Sequence, residues 1–102
     1  MEFKQKPWPK LREDLTLYPG PADKNGAPTW TLHEGREALH ISQSESWGQS
    51  VVWNPGADKC AQLQDMPDNG YQHMLCVEAA RVNTPIEVPA FQSWEAWQQI
   101  KL

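Results

Sequence analysis

The stretch SVVWNPG, residues 50–56, decides the fold of this chain. The apolar run at its centre is typical of a strand that is covered on both faces rather than one at a sheet edge. Pro55 and Gly56 then end the strand, because proline cannot donate to a β-ladder and glycine favours a turn. We therefore expect a deeply placed strand over residues 50–54, with Trp53 as the clearest core candidate among the six tryptophans.

Further short runs of β-forming residues lie on both sides of this strand and are separated by turn-forming residues. They are residues 15–18, 29–32, 38–42, 72–80, 86–89 and 93–100. The second and third runs meet at Glu34 and Gly35, which predicts a β-hairpin. In the last run, Trp94 and Trp97 have a spacing that would also suit a helix. The whole pattern predicts an all-β protein built on antiparallel sheet.

Two segments fall outside the strand pattern. Residues 58–64 (DKCAQLQ) are good helix formers behind Asp58, a residue type that caps helix N-termini, so we expect one or two turns of helix there. Residues 1–11 place lysines and prolines around Trp8 without periodicity and are expected to form an extended arm. Residues 12–102 then form one small β domain.

Composition excludes several classes of partner and cofactor. Nine Lys and Arg against thirteen Asp and Glu give a net charge of -4, which argues against nucleic acid and anionic membranes as partners. The sequence has no membrane-length apolar run and no signal-peptide pattern at its N-terminus, so a cytoplasmic protein is expected. Cys60 and Cys76 lack the spacing of a disulfide scaffold or a metal site, and we expect both to be reduced, partly buried thiols.

Glu78, inside the apolar run of residues 72–80, is the best single candidate for chemistry. Burying a carboxylate as an ion is costly, so Glu78 either reaches water or faces a polar site that uses it. A carboxylate in such a site is the kind of group that serves as a general base. The alternative is a structural one, in which Glu78 lies at the strand end and pairs with Arg81 or a backbone amide.

Three segments carry a resemblance to a known family. They are VVWNPG (residues 51–56), DMPDNGY (residues 65–71) and MLCVEAA (residues 74–80), and their order and spacing resemble those of the hexose-6-phosphate mutarotases. The resemblance extends over residues 12–100. It implies the C-terminal part of a galactose mutarotase-type β-sandwich that interconverts the α and β anomers of a hexose or hexose 6-phosphate, with no metal and no cofactor.

The resemblance also implies roles for individual residues. The glutamate of the CVE segment, here Glu78, is the family's base. An acidic residue that holds sugar hydroxyls falls on Glu13 or Asp14, where the local order differs from the family's. The family's acid is a histidine in an upstream segment that resembles ALHTYF, and neither it nor the family's phosphate-binding arginines fall within the matched region. His40 imitates that segment in the letters ALH but lies elsewhere in the register, so it is a poor candidate for the acid.

The remaining candidates have simpler structural explanations. His33 and His73 are expected at the surface or half-buried, and Asn54 before Pro55 is expected to form a turn rather than to orient a site. Three readings of function stay open. The chain is the base-supplying C-terminal portion of a mutarotase, or a stand-alone or vestigial β module that binds a carbohydrate or a protein, or a subunit completed by a complementary chain or by self-association.

Overall fold

A computed structural model describes residues 11–19 and 29–102. Its regular elements are the strands β1 (Asp14–Pro19), β2 (Thr29–Glu34), β3 (Glu37–Gln43), β4 (Gln49–Asn54), β5 (Cys76–Ala80) and β6 (Gln98–Lys101), the helix α1 (Gly56–Gln62) and a 3-10 helix (Gly70–His73). The strands form two three-stranded sheets, in the orders β1-β4-β5 and β2-β3-β6. The all-β prediction is confirmed, since the described residues form two three-stranded sheets and one short α-helix. The predicted arm, apart from Leu11, lies outside the described residues.

The β2-β3 hairpin and the β3-β6 pair are both antiparallel. Trp30 pairs with Ile41 and His33 with Ala38 across the hairpin, and Ile41 pairs with Ile100 on its other side. The connection turns at Gly35 and Arg36, where Gly35 has a φ of 60°. Glycine takes this left-handed conformation without the steric cost that a Cβ brings. The predicted hairpin is therefore confirmed.

The described residues fall into two compact units. The first contains residues 19, 29–50 and 79–102, and the second contains residues 11–18 and 51–78. In the first unit, Trp30 and Ile41 are buried hydrophobic residues, and two polar side chains, Gln43 and Ser50, are buried with them. The Trp30 indole donates to Ser50 Oγ at 3.0 Å, and Ser50 Oγ donates to Gln43 Oε1 at 2.9 Å. Because each buried polar group has a partner, the network does not incur the penalty of an unmade hydrogen bond.

In the second unit, strand β4 alternates between buried and half-buried residues along its length. Val52 and Asn54 are fully buried, and Trp53, which points to the opposite face, is only half-buried. The prediction that Trp53 is the clearest core tryptophan is wrong, since Trp30 is the buried one among the described tryptophans, at 4% exposure. A run of three apolar letters did not show which of the two faces would be covered.

The prediction of one long strand over residues 72–80 is also wrong for the first half of that range. Gln72 N donates to Asn69 O at 3.1 Å and Gly70 N to Pro67 O at 2.8 Å, so tight turns and the 3-10 helix precede the strand. The strand begins only at Cys76. Buried Asn54 explains part of this, because its side-chain amide donates to the carbonyls of Tyr71 and Met74, both at 2.9 Å.

Residues 86–89 and 93–97 are not strands, so the C-terminal β pattern is confirmed only over β6. Pro89 cannot donate to a ladder, and Gln92 N closes a turn onto its carbonyl at 3.1 Å. Trp94 and Trp97 are not helical either; Trp97 N donates to Ser44 Oγ at 3.0 Å instead of to a helical carbonyl.

The predicted helix exists, but it starts earlier than expected. It spans Gly56–Gln62, and Asp58 lies within its first turn instead of capping it. The Asn54 side-chain oxygen accepts from Gly56 N at 2.9 Å and so meets the first amide. Both cysteines are free, as predicted; Cys76 is half-buried, but Cys60 is fully buried rather than partly buried. Among the described residues, no helix has the length and apolarity to cross a membrane, and no cluster of His, Cys, Asp and Glu is suited to a metal ion.

Candidate functional site

Two side chains from other elements hold the Glu13 carboxylate in the second unit. Glu13 immediately precedes β1, and its Oε2 accepts a 2.9 Å hydrogen bond from the Trp53 indole of β4. The same oxygen lies 2.9 Å from the Lys59 ammonium of α1. Two donors, one from a strand and one from a helix, therefore converge on one oxygen of the carboxylate at the entrance of β1.

These contacts set the charge state of Glu13. The hydrogen bond from Lys59 and then that from Trp53 lower its pKa, against a smaller opposing effect of desolvation, and the Lys59 charge lowers it further. Both donors act on the ionised form, which is why the carboxylate stays anionic over a wider range than an isolated glutamate. The Glu13 side chain nevertheless keeps 40% of its surface exposed, so a ligand can reach it.

The backbone around Gly56 places Glu13 beside Trp53. Gly56 has a φ of 73°, and a Cβ built there would lie 2.6 Å from the amide nitrogen of Glu13 and 2.7 Å from Leu11 O. Ala57 N donates to the same Leu11 carbonyl at 2.8 Å. Glycine is therefore required here twice, for its backbone conformation and because residues 11–13 pass directly over it. The Pro55-Gly56 pair, read from the sequence only as a strand stop, also seats the segment that carries Glu13.

Asn54 holds the segment of residues 71–74 next to the end of β4 through hydrogen bonds. Its side chain is fully buried, donates to the Tyr71 and Met74 carbonyls and accepts from Gly56 N. A buried amide that makes three hydrogen bonds has a structural role. The expectation that Asn54 serves the turn is confirmed, and its reach to residues 71 and 74 goes beyond that expectation.

Asp14, the second acidic candidate, is the first residue of β1 and is half-buried. Its Oδ1 accepts a 2.6 Å hydrogen bond from the Thr16 hydroxyl. Residues 14 and 16 lie on the same face of the strand, because side chains alternate along it. Glu13 and Asp14 are thus separate features, one exposed and bound to β4 and α1, the other bound within its own strand.

Glu78 lies in the middle of β5 and is the one exposed residue of that strand, whose other positions are half-buried. Cys76 lies two positions earlier on the same face, and its pKa is raised by desolvation and, to a lesser degree, by the Glu78 charge. Of the two alternatives for an acidic residue in an apolar run, Glu78 takes the one in which the carboxylate reaches water.

The proposed pairing of Glu78 with Arg81 is not found. The Arg81 guanidinium donates instead to the carbonyls of Thr84, at 3.0 Å, and Ser46, at 3.3 Å. Within residues 11–19 and 29–102, no hydrogen bond or salt bridge engages the Glu78 carboxylate. The Glu78 carboxylate is therefore exposed and not held by another described side chain.

The structure does not bring all the predicted residues together. Glu13 and Glu78 belong to the entrance of β1 and to β5, which lie on either side of β4 in one sheet. The three histidines are exposed: His33 on β2, His40 on β3 and His73 in the 3-10 helix. None of the hydrogen bonds and salt bridges of the described residues joins His73, which lies in the same unit as Glu78, to that carboxylate.

Two contributors to this region were missed by sequence reasoning. Lys59 was read only as a helix former, and Trp53 was read as core. Glu13 lies 46 positions from Lys59 and 40 from Trp53, so no local spacing could have linked them. The available signal was Gly56 directly after a strand, which marks close backbone approach as well as a turn.

Comparisons with known proteins place the chain in a family. The sequence model of the aldose 1-epimerase family matches residues 16–101. A protein of Cenchrus ciliaris named "Putative glucose-6-phosphate 1-epimerase" is 37% identical over 62 residues, which cover 61% of this chain but 18% of that protein. No solved structure matches the chain significantly. Since the family match covers most of the sequence, including the greater part of β1 and all of β2 to β6, the chain belongs to the aldose 1-epimerase family.

Proposed function

We propose that this chain supplies the base and a hydroxyl-binding carboxylate of an aldose 1-epimerase, an isomerase that interconverts the α and β anomers of a hexose or hexose 6-phosphate. The observation that carries the proposal is Glu78, an exposed carboxylate on β5 that no described side chain engages and that lies inside the family match. A base must meet its substrate directly, so exposure at this point supports the role.

In the proposed reaction, the Glu78 carboxylate takes the proton from the anomeric hydroxyl. The electron pair of that O–H bond forms the aldehyde C=O, the bond between C1 and the ring oxygen breaks, and the ring oxygen takes a proton from a general acid. Rotation about the C1–C2 bond presents the other face of the aldehyde. Closure then returns one proton to the anomeric oxygen and one to the acid, so neither redox chemistry nor a net proton change is required.

Glu13 and Asp14 are proposed to hold sugar hydroxyls. Both bonds to Glu13 end on Oε2, which leaves Oε1 available to accept from a ligand hydroxyl. Because Lys59 and Trp53 already fix the carboxylate, little side-chain freedom is lost when the sugar binds. The lowered pKa keeps Glu13 an acceptor at the pH where the reaction runs.

The general acid and the groups that read a phosphate are proposed to come from sequence outside this chain. The three histidines here are exposed, and the match to the Cenchrus relative spans 18% of that protein. The chain then corresponds to the C-terminal portion of a mutarotase, and a complementary polypeptide or self-association completes it. A cytoplasmic location also stays a prediction.

Two-dimensional exchange NMR on the anomers of glucose 6-phosphate tests this proposal. We expect the chain to bind the sugar and, as an isolated piece, to accelerate exchange only weakly above the spontaneous rate. Glu78→Gln should abolish that acceleration, and Glu13→Gln should weaken binding while the exchange rate at saturation changes less. Glu87→Gln is the matched control, since Glu87 is an exposed glutamate outside the regular elements. Binding with no acceleration by either the wild-type chain or Glu78→Gln would favour a carbohydrate-binding module.

A further inference from the structure

A groove lined by tryptophans lies in the first unit. Its lining residues are Ser44, Trp47, Trp94, Glu95, Ala96 and Trp97. They belong to the turn that follows β3 and to the segment that precedes β6. Since β3 and β6 are paired, with Gln43 opposite Gln98, both segments leave the same end of the sheet.

The groove is held in shape by three hydrogen bonds between its two segments and by a fourth within the segment after β3. Ser44 N and the Trp47 indole both donate to the Trp97 carbonyl, at 3.0 and 3.1 Å. Trp97 N donates to Ser44 Oγ at 3.0 Å, and that hydroxyl shares a 2.7 Å hydrogen bond with Ser46. The pairing of β3 and β6 is therefore extended beyond the regular ladder by hydrogen bonds between Ser44 and Trp97. These bonds hold the backbone that carries the indoles.

Two of the indoles are exposed to solvent, although tryptophan buries a large apolar area when it can. Trp94 is 37% exposed and Trp97 is 49% exposed. Trp47 and Trp94 meet edge to face, with ring centroids 5.2 Å apart and an interplanar angle of 85°. Such a corner of two rings offers a flat apolar surface beside a second wall, which suits a flat, partly apolar ligand.

The polar groups of the groove restrict that ligand further. Among the described residues that line the groove, Glu95 is the one charged residue, and none is Lys or Arg. A carboxylate accepts hydrogen bonds from hydroxyls but repels a phosphate or another carboxylate. The chemistry favours a neutral ligand that combines an apolar face with several hydroxyls, which describes the pyranose ring of an unmodified sugar.

We infer that the groove between Trp47, Trp94 and Trp97 is a binding site for neutral pyranosides, formed by other residues than Glu78 and Glu13 and selective against sugar phosphates. The apolar C–H face of the ring stacks on an exposed indole, and Glu95 accepts from its hydroxyls. Because the groove is preformed, the ordering cost of binding falls mainly on the ligand.

The test is a titration of the full chain with methyl β-glucopyranoside, followed through the indole N–H signals in ¹H–¹⁵N NMR spectra. We expect saturable shifts of the Trp94 and Trp97 signals, assigned with Trp94→Phe and Trp97→Phe. Glucose 6-phosphate should shift these two signals less at equal concentration. Trp94→Ala and Trp97→Ala should each weaken binding by roughly 2- to 10-fold. Glu95→Gln should reduce the difference in affinity between methyl β-glucopyranoside and glucose 6-phosphate.

The matched control is Phe91→Ala, which removes an exposed aromatic ring that does not line the groove and should leave binding unchanged. The wild-type titration decides the question even if an alanine variant fails to fold. Absence of shifts at Trp94 and Trp97, equal or tighter binding of glucose 6-phosphate there, or self-association that Trp94→Ala abolishes would each overturn the inference. Loss of anomer exchange in Glu78→Gln leaves these signals untouched, so the two proposals fail independently.

Discussion

The Trp53 indole of β4 donates a 2.9 Å hydrogen bond to the Glu13 carboxylate at the entrance of β1. The two residues are 40 positions apart, and the bond exists because the Gly56 backbone leaves room for residues 11–13 to pass beside β4. This relationship links the turn after the VVWNPG strand to the placement of a candidate sugar-binding group.

The first prediction concerns the charge state of Glu13. Lys59→Met removes the largest cause of the lowered Glu13 pKa, and Trp53→Phe removes the second largest. Both variants should therefore raise the Glu13 pKa, and Lys59→Met should raise it more. Carboxyl ¹³C NMR titration of Glu13 measures the shift. A carboxylate whose pKa is lowered in the folded state stabilises the fold at pH values above its unfolded-state pKa. This stabilisation is lost as the pH falls through the folded-state pKa. Lys59→Met should therefore lose less stability between about pH 5 and pH 3 than the wild-type chain. An unchanged Glu13 titration in Lys59→Met would contradict the ion pair.

The second prediction concerns Gly56. An alanine there meets both a left-handed backbone and the atoms of residues 11–13, so we expect Gly56→Ala to lower the free energy of unfolding by about 3 kcal/mol or more. Gly35→Ala is the matched control, because Gly35 has a φ of 60° but nothing within 4 Å of the added Cβ. It should cost about 1–2 kcal/mol. Urea unfolding of the two variants measures the difference, and equal costs would show that residues 11–13 do not lie over Gly56.

The third prediction tests the buried network in the first unit. Ser50→Ala leaves the Trp30 indole N–H without its acceptor and Gln43 Oε1 without its donor. We expect a loss of about 1–3 kcal/mol in the free energy of unfolding. Ser93→Ala, at an exposed serine, should change it by less than about 0.5 kcal/mol. If the two variants were equally stable, the Trp30-Ser50-Gln43 network would not contribute to stability.

The fourth prediction tests the proximity of Cys76 and Glu78. Desolvation and then the Glu78 charge raise the pKa of the Cys76 thiol, so Cys76 should react slowly with iodoacetamide near neutral pH. Glu78→Gln removes one of the two causes and should speed the alkylation of Cys76 at about pH 8. Buried Cys60, which donates to Pro67 O at 3.2 Å, is the internal control and should stay slow in both proteins. Mass spectrometry measures the alkylation rates of the two thiols. If Cys76 were alkylated no faster in Glu78→Gln, the Glu78 charge would not act on the Cys76 thiol.

Sequence reasoning found the strands that have local signals. The hairpin was visible because Glu34 and Gly35 lie between two β-type runs, and β4 because Pro55-Gly56 stops an apolar run. It failed where distant side chains decide the structure. Asn54 ties down residues 71 and 74, so a run that reads as one strand begins with a 3-10 helix. Trp53 reads as core, but the pleat turns it towards Glu13.

The candidate site divides in the same way. Glu78 could be singled out because a carboxylate in an apolar run is costly unless it is solvated or used, and its exposure on β5 is consistent with that argument. Its proposed role rests on the family. Lys59 could not be found, since nothing local relates a helix lysine to a glutamate 46 residues earlier.

The most direct measurement of the central claim, that Glu78 is a sugar-ring-opening base, is exchange NMR of glucose 6-phosphate in the presence of imidazole. Imidazole can act as the external acid that the proposed mechanism draws from outside this chain. The wild-type chain with imidazole should exceed the sum of the two separate rates, and Glu78→Gln should lose about 100-fold or more of that excess, whereas Glu87→Gln keeps it. Equal rates for wild-type and Glu78→Gln in the presence of imidazole would contradict the account.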